Sequence, residues 1–175
     1  MIRLAAATLL ASLAAAPAAA EVKSATEAGF AVESTAIVAA TPAQAYAMLG
    51  RPGEWWTSAH TYSGDARNLS LALRAGGCFC ERVPRDGGTI EHARVVYARP
   101  GETLRLHGAL GPLQQEAAVG TLTIALKAVP GGTQITQTYV VGGYVRGGAD
   151  KLAAAVDGVM AEQLTGLQRR LAKGR

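Results

Sequence analysis

The sequence predicts a single α+β domain, with an antiparallel sheet of roughly six to seven strands, one or two short helices after the first strand, and a long C-terminal helix. Three observations carry this expectation. Alternating apolar and polar segments follow one another from Leu69 to Val141, joined by tight glycine-containing turns of the kind that join antiparallel strands. The segment from Asp150 to Lys173 changes to the helical period. The chain shows no parallel strand–helix–strand alternation, no internal repeat and no composition break that would mark a second domain.

Residues 1–20 read as a cleaved signal peptide preceding a domain over 21–175. Arg3 supplies the positive n-region, and "LAAATLLASL" is an apolar run of about ten residues, too short to span a bilayer. Ala18 and Ala20 form the small-residue pattern that places cleavage before Glu21. A lipoprotein would need cysteine at that position. The alanine, glycine and arginine bias is that of a GC-rich bacterial genome, so the expected destination is the periplasm or the exterior. No later stretch is long and apolar enough to span a membrane as a helix.

In the mature chain, Phe30, Val32, Ser34, Ala36 and Val38 alternate with Ala31, Glu33, Thr35 and Ile37, and the stretch "EVKSATEAGFAVESTAIVAA" reads as one long strand. In "ATPAQAYAMLG", Thr41 is an N-cap, Pro42 occupies the first helical position and Gly50 is a stop, giving a short helix with Ala45, Met48 and Leu49 inward. "RPGEWWTSAHTYSGDARN" reads as a structured loop that gathers Trp55, Trp56, His60 and Tyr62. Rings with polar tips suit a pocket mouth, although Trp56 serves equally well as a core cap.

The strands follow: "LSLALR", then "CFCERVP" and "TIEHARVVYA" around "RDGG", then "TLRLHG", then "VGTLTIALKAV" and "TQITQTYVV" around "PGG". The last helix carries an apolar stripe through Leu152, Val156, Val159, Met160, Gln163, Leu164, Leu167 and Leu171, with Asp150 as its expected N-cap and Arg169, Arg170 and Lys173 at its C-terminal end.

The only two cysteines, Cys78 and Cys80, are two residues apart. With Arg85 opposite Gly88 across the "RDGG" turn, Cys80 faces Ala93, Cys78 faces Val95, Glu81 faces His92 and Phe79 faces Arg94. One face then holds Cys78, Cys80, Arg82, Glu91, Ala93, Val95 and Tyr97, and the other holds Phe79, Glu81, Val83, Ile90, His92, Arg94 and Val96. Neither face is purely apolar, so the pattern does not decide which lines a pocket. The thiols point the same way, about 6.5–7 Å apart at Cα, the edge of disulfide reach. Three readings stand: two small half-buried packing residues, the simplest; a disulfide, favoured by export but requiring the strand to bulge; or the beginning of a soft-metal site whose further ligands must come from elsewhere.

Nucleophile elbows, zinc-protease helices, phosphate loops and dinucleotide fingerprints are absent from the sequence, and no cofactor is implied. The net charge of +4 is spread one residue at a time rather than clustered among aromatics, which argues against nucleic acid as a partner. Glu81 and His92, with Tyr97, are the candidates for proton transfer, set against the plain alternative of an ion pair. His107 stands alone in a strand and reads as structural.

Several pieces in order, "ATPAQAYAML", "WW", "AGGCFCE", "ARVVYARPGETLRL", "PGGTQITQTY" and the long last helix, resemble the helix-grip (Bet v 1/START-like, SRPBCC) superfamily over residues 25–172. The resemblance is to the bacterial branch related to activator of Hsp90 ATPase and polyketide cyclase-like proteins. It implies a curved sheet wrapped around the last helix and an apolar cavity between them. It also implies a small apolar or amphipathic ligand, with Trp56, Tyr62, Phe79 or the cysteines Cys78 and Cys80, Val95 or Val96, Tyr139, Val156, Met160 and Leu164 as liners. A cyclase- or hydrolase-like enzyme and an envelope protein-interaction module are the alternatives. The export signal departs from the cytosolic co-chaperone pattern.

Overall fold

The computed structural model describes residues 19–173. The signal-peptide expectation falls on residues 1–18, outside the described residues, apart from Ala19 and Ala20, which begin the first strand.

Eight antiparallel strands form one sheet: β1 (Ala19–Thr26), β2 (Gly29–Val38), β3 (Leu69–Leu71), β4 (Cys78–Val83), β5 (Gly88–Arg99), β6 (Thr103–Gly108), β7 (Ala117–Val129) and β8 (Gly132–Tyr144). Their order across the sheet is β1-β2-β8-β7-β6-β5-β4-β3. Every connection between neighbours except β2–β8 joins strands consecutive in sequence, as short turns require. The segment read as one long strand is a hairpin that turns at Glu27 and Ala28. Gly29 marks the turn because a Cβ there would collide with the Val141 backbone. The resulting β1 is an added edge strand.

The alternation read in β2 holds: Phe30, Val32, Ser34, Ala36 and Val38 are all buried. They share the inner face with Leu122, Ile124 and Leu126 of β7 and Ile135, Tyr139 and Val141 of β8. Each fully buried aliphatic side chain of this kind contributes about 1.5–3 kcal/mol, so this face accounts for most of the cohesion between sheet and helices.

Helix α1 (Pro42–Leu49) begins as expected, with Thr41 and Gln44 forming a capping box, and it buries Ala45, Tyr46, Met48 and Leu49. Helix α2 (Asp150–Ala172) has 23 residues and is about 35 Å long. Its cap differs from expectation. Ala149 is the N-cap, and Asp150 is the first helical residue, where its charge meets the helix dipole instead of accepting a backbone hydrogen bond.

Burial along α2 is uneven. Met160, Gln163, Leu164, Leu167, Gln168 and Leu171 are buried, whereas Leu152, Val156 and Val159 are only half-buried. The C-terminal half packs closely on the sheet, whereas in the N-terminal half only Ala153 is fully buried and the Leu152, Val156 and Val159 side borders open space.

The β4–β5 hairpin is the main correction to the sequence register. Val83 pairs with Gly88, Glu81 with Ile90 and Cys80 with Glu91, while Phe79 pairs with Ala93 and Cys78 with Arg94. A bulge between Phe79 and Cys80 leaves His92 as the extra residue of β5, so that His92 and Ala93 are both buried. The turn is wider than symmetrical pairing about "RDGG" gives, because Val83 rather than Arg85 pairs with Gly88, and the bulge absorbs part of the difference. The Phe79, Glu81, Val83 and His92 face is the inner one. Cys78 and Cys80 lie on the outer face and are joined as a disulfide, with Cα atoms 5.4 Å apart. The reading of two unpaired packing thiols is thereby replaced.

Candidate functional site

Between the sheet and the N-terminal half of α2 lies a cavity of about 420 Å³. Its walls come from β4 and β5 (Phe79, His92), β8 (Tyr139), α2 (Leu152, Ala155, Val156, Val159, Met160) and two loops, 56–62 and 110–115. Leu152, Val156 and Val159, on the half-buried side of the first turns of α2, face this space.

The first loop is tied down at both ends. Trp55 Nε1 donates to the Met48 carbonyl at 2.9 Å, and Trp56 Nε1 donates to the His60 carbonyl at 2.9 Å. The Thr57 N–H donates to Oε1 of Gln163 on α2 at 2.8 Å, and His60 Nε2 meets Glu162 at 3.0 Å. Gly166 allows the approach, since a Cβ there would strike the Trp55 carbonyl. The Tyr62 hydroxyl then reaches across to donate to the Gly111 carbonyl of the second loop at 3.0 Å.

At one wall sits a buried acid–imidazole pair. Glu81 is 1% exposed and His92 is 6% exposed. The Tyr62 and Ser63 N–H groups donate to the two Glu81 oxygens at 3.1 and 2.5 Å, and His92 Nε2 donates to Glu81 at 2.9 Å. Burial alone would raise the Glu81 carboxyl, but the Ser63 and Tyr62 donors together with His92 outweigh it and hold Glu81 below its ordinary value. Burial lowers His92, and the attraction of Glu81 restores only part of that. The pair at neutral pH is therefore a carboxylate and a neutral imidazole carrying its proton on Nε2. His92 Nδ1 is left as an acceptor, with Gln114 Nε2 3.5 Å away and that amide already donating to the Glu91 carbonyl at 3.2 Å. Tyr62 stacks on the imidazole at 5.9 Å, and Phe79 lies 5.0 Å from it.

Across the cavity, Tyr139 donates to the Gly108 carbonyl at 3.0 Å and accepts from the Leu110 N–H at 3.1 Å. Burial pushes its hydroxyl up to about 12 despite the Leu110 donor, so it stays protonated. A mostly apolar chamber with a buried imidazole in its wall, Nδ1 of which holds only a long bond from Gln114, can hold an apolar body and orient one polar group.

Of the residues singled out from the sequence, Trp56, Tyr62, Phe79, Tyr139, Val156 and Met160 line this cavity, and His60 joins them. Others do not. Cys78 and Cys80 face outward, because the bulge fixes the opposite set inside. Val95 and Leu164 are core residues packed outside the cavity lining. Val96 is exposed. Tyr97, the third proton-transfer candidate, is 43% exposed with the Arg105 guanidinium 5.6 Å from its ring, because a second bulge between Val95 and Tyr97 turns it out. Glu81 and His92 do touch, although Glu81 is paired with Ile90 in the ladder and the bulge brings the imidazole alongside. His107 is exposed, with Nδ1 3.3 Å from the Thr121 hydroxyl. The loop "LGPLQQ" was not singled out at all. Its signal was Pro112 beside a glycine with positive φ, which fixes a short turn that carries Leu110 and Leu113 inward.

Residues 29–172 match the family described as polyketide cyclase/dehydrase and lipid transport. The chain belongs to this family. The sheet wrapped on α2 is accordingly the helix-grip fold of the SRPBCC superfamily. No curated protein matches the sequence. Solved structures similar to this family member include protein MLL2253 from Mesorhizobium loti, with 16% identity, a TM-score of 0.61, and 83% of this chain and 98% of that one covered. An uncharacterized protein from Rhizobium leguminosarum is 21% identical with a TM-score of 0.59, covering 90% and 99%. CalU16 from Micromonospora echinospora is 11% identical with a TM-score of 0.58, covering 88% and 87%. At these identities the likeness speaks for the fold alone.

Proposed function

We propose that this family member is exported through residues 1–20 and binds a small amphipathic molecule in the cavity between sheet and α2. The apolar body would lie among Phe79, Val156 and Met160, and a hydroxyl or N–H of the ligand would take the place of the Gln114 amide at His92 Nδ1. The observation that carries this reading is a roughly 420 Å³ apolar chamber whose wall holds a neutral imidazole oriented by a buried carboxylate. Export is supported by the charged and apolar pattern of the first residues. Cleavage before Glu21 would also turn the backbone amide that hydrogen-bonds Asp157 into an ammonium group beside a carboxyl. The test is native mass spectrometry of protein recovered from the bacterial envelope. A chain beginning at Glu21 that carries a small apolar molecule is expected. A full-length chain without one would contradict the reading.

A second reading, an enzyme of cyclase or hydrolase type, is favoured by the Glu81–His92 pair itself, since an imidazole held in one tautomer by a carboxylate is the arrangement of a general base. It predicts turnover of a bound carbonyl compound that is lost in His92→Gln while binding persists. The interaction-module reading needs a continuous apolar surface. Among the described residues, the large exposed apolar side chains are spread over five strands and one loop; Val119, paired with Gly142, neighbours Val140 and Tyr144 diagonally, and Val22, Ile37 and Val96 stand apart from them on other strands.

A further inference from the structure

On the outer face of the β4–β5 hairpin, away from the cavity, three potential ligand atoms converge. Cys78 and Cys80 are both half-buried and project to the same side. Glu91 is the direct ladder partner of Cys80, and its carboxylate is 3.9 Å from Cys78 Sγ. The two sulfurs and a Glu91 oxygen all lie within 4.8 Å of one another. The register from the turn sets Glu91 opposite Cys80, and the bulge beyond that pair turns His92 inward and brings Arg94 opposite Cys78. Arg94, opposite Cys78, grips both Glu91 oxygens and donates to the Gly76 carbonyl at 3.2 Å, which fixes the carboxylate beside Cys78.

We propose that Cys78, Cys80 and Glu91 form a thiol-gated site for a borderline-soft divalent cation of the zinc type, closed while the disulfide stands and opened by its reduction.

The redox step needs a dithiol reductant. One reductant thiolate attacks a sulfur of the disulfide, the other sulfur leaves, and the second reductant thiol resolves the mixed disulfide. Two electrons and two protons pass to the protein, which ends with two thiols, and the reductant ends as a disulfide. Cation binding then releases the two thiol protons. Two thiolates, one carboxylate and a divalent cation sum to one negative charge, which the Arg94 guanidinium balances. Two sulfurs and one oxygen suit zinc better than calcium or magnesium, which require oxygen ligands, and water fills the fourth tetrahedral position. Arg94 is a positioning residue here. It holds the ligand carboxylate, a role whose loss typically weakens metal binding 10–100-fold.

The experiment is a titration of the full chain with Zn2+, and with Co2+ for its thiolate charge-transfer absorption, in the oxidised and the dithiol-reduced states. Thiol content is measured first, and far-ultraviolet circular dichroism confirms the fold. The reduced protein is expected to bind one ion with the charge-transfer band, and the oxidised protein none. Cys78→Ser or Cys80→Ser should remove the band, and Glu91→Gln and Arg94→Gln should each weaken binding about tenfold or more. Equal binding in both redox states, binding that survives either serine substitution, or a disulfide that resists excess dithiol in the folded protein would overturn the proposal. Reduced thiols that exchange with dithiols but take up no ion would overturn it as well, and would leave a plain redox pair.

Discussion

Gly120 lies directly beneath the ring of Tyr139: a Cβ at that position would fall on the ring carbons and the hydroxyl oxygen. The two residues sit on neighbouring strands, β7 and β8, with Tyr139 paired to Leu122. The missing side chain lets the tyrosine lie along the sheet and reach the 108–110 backbone, so one glycine sets one wall of the cavity. Gly120→Ala should displace the ring and destabilise the fold by about 1–3 kcal/mol. Thermal unfolding would register this as a drop of roughly 2–4 °C per kcal/mol for a domain of this size. An unchanged melting temperature would mean the ring has another resting place.

The Glu81–His92 pair makes stability depend on pH in a definite direction. Both folded-state values are depressed. For His92, the neutral form is the folded one, so its contribution is complete above the unfolded value near 6.5 and falls away as pH drops below it. For Glu81, the contribution is complete above the unfolded value near 4.3 and is lost as pH falls through the lower folded value. Urea unfolding from pH 8 to pH 4 should therefore show stability declining on acidification, starting below about pH 6.5. His92→Gln should flatten the part between pH 7 and pH 5. A wild-type profile that rises on acidification would contradict the neutral imidazole.

Gln163 anchors the loop over the cavity by accepting from the Thr57 N–H, while its own Nε2 is buried without a partner. Gln163→Leu removes the acceptor and leaves the Thr57 amide unpaired, at a cost of about 1–3 kcal/mol. Because the orphaned Nε2 disappears too, the loss should lie toward the lower end. Hydrogen exchange at Thr57 should accelerate more than exchange in β7. Equal protection at Thr57 in both proteins would mean the loop is held by other contacts.

The start of α1 gives a simpler check. Thr41→Ala deletes the capping hydroxyl of the capping box. The expected loss is about 1 kcal/mol, read by urea unfolding. No loss would indicate that Pro42 alone fixes the helix start.

The elements that could be read from the sequence are those whose signal is local. Thr41, Pro42 and Gly50 bound a helix by chemistry confined to one turn, and the β2 alternation needs only a period of two. The hairpin faces needed more. The shared parity of Cys78, Cys80 and Glu91, and of Glu81 and His92, was legible, but the bulge that also turns Ala93 and Val95 inward is a shift that alternation cannot show. Val95, one of two alternatives with Val96, and Leu164 of the helical stripe do lie on inner faces, yet an inner face includes both packed core and open chamber. What separates them is which part of α2 borders the open space, a property of the whole helix position rather than of any one residue. The loop carrying Leu110 and Leu113 lacked periodicity and passed unnoticed for that reason.

The central claim is that the space under the N-terminal half of α2 is a binding chamber. It is tested most directly by titrating an apolar fluorescent fatty-acid analogue into the wild-type protein and into Val156→Trp, whose ring would fill the chamber from the helix side. The account expects saturable binding of one probe per wild-type chain and at least a tenfold loss in the variant, with the circular dichroism spectrum unchanged. Equal affinity in the two proteins, or no saturable binding to the wild type, would contradict it.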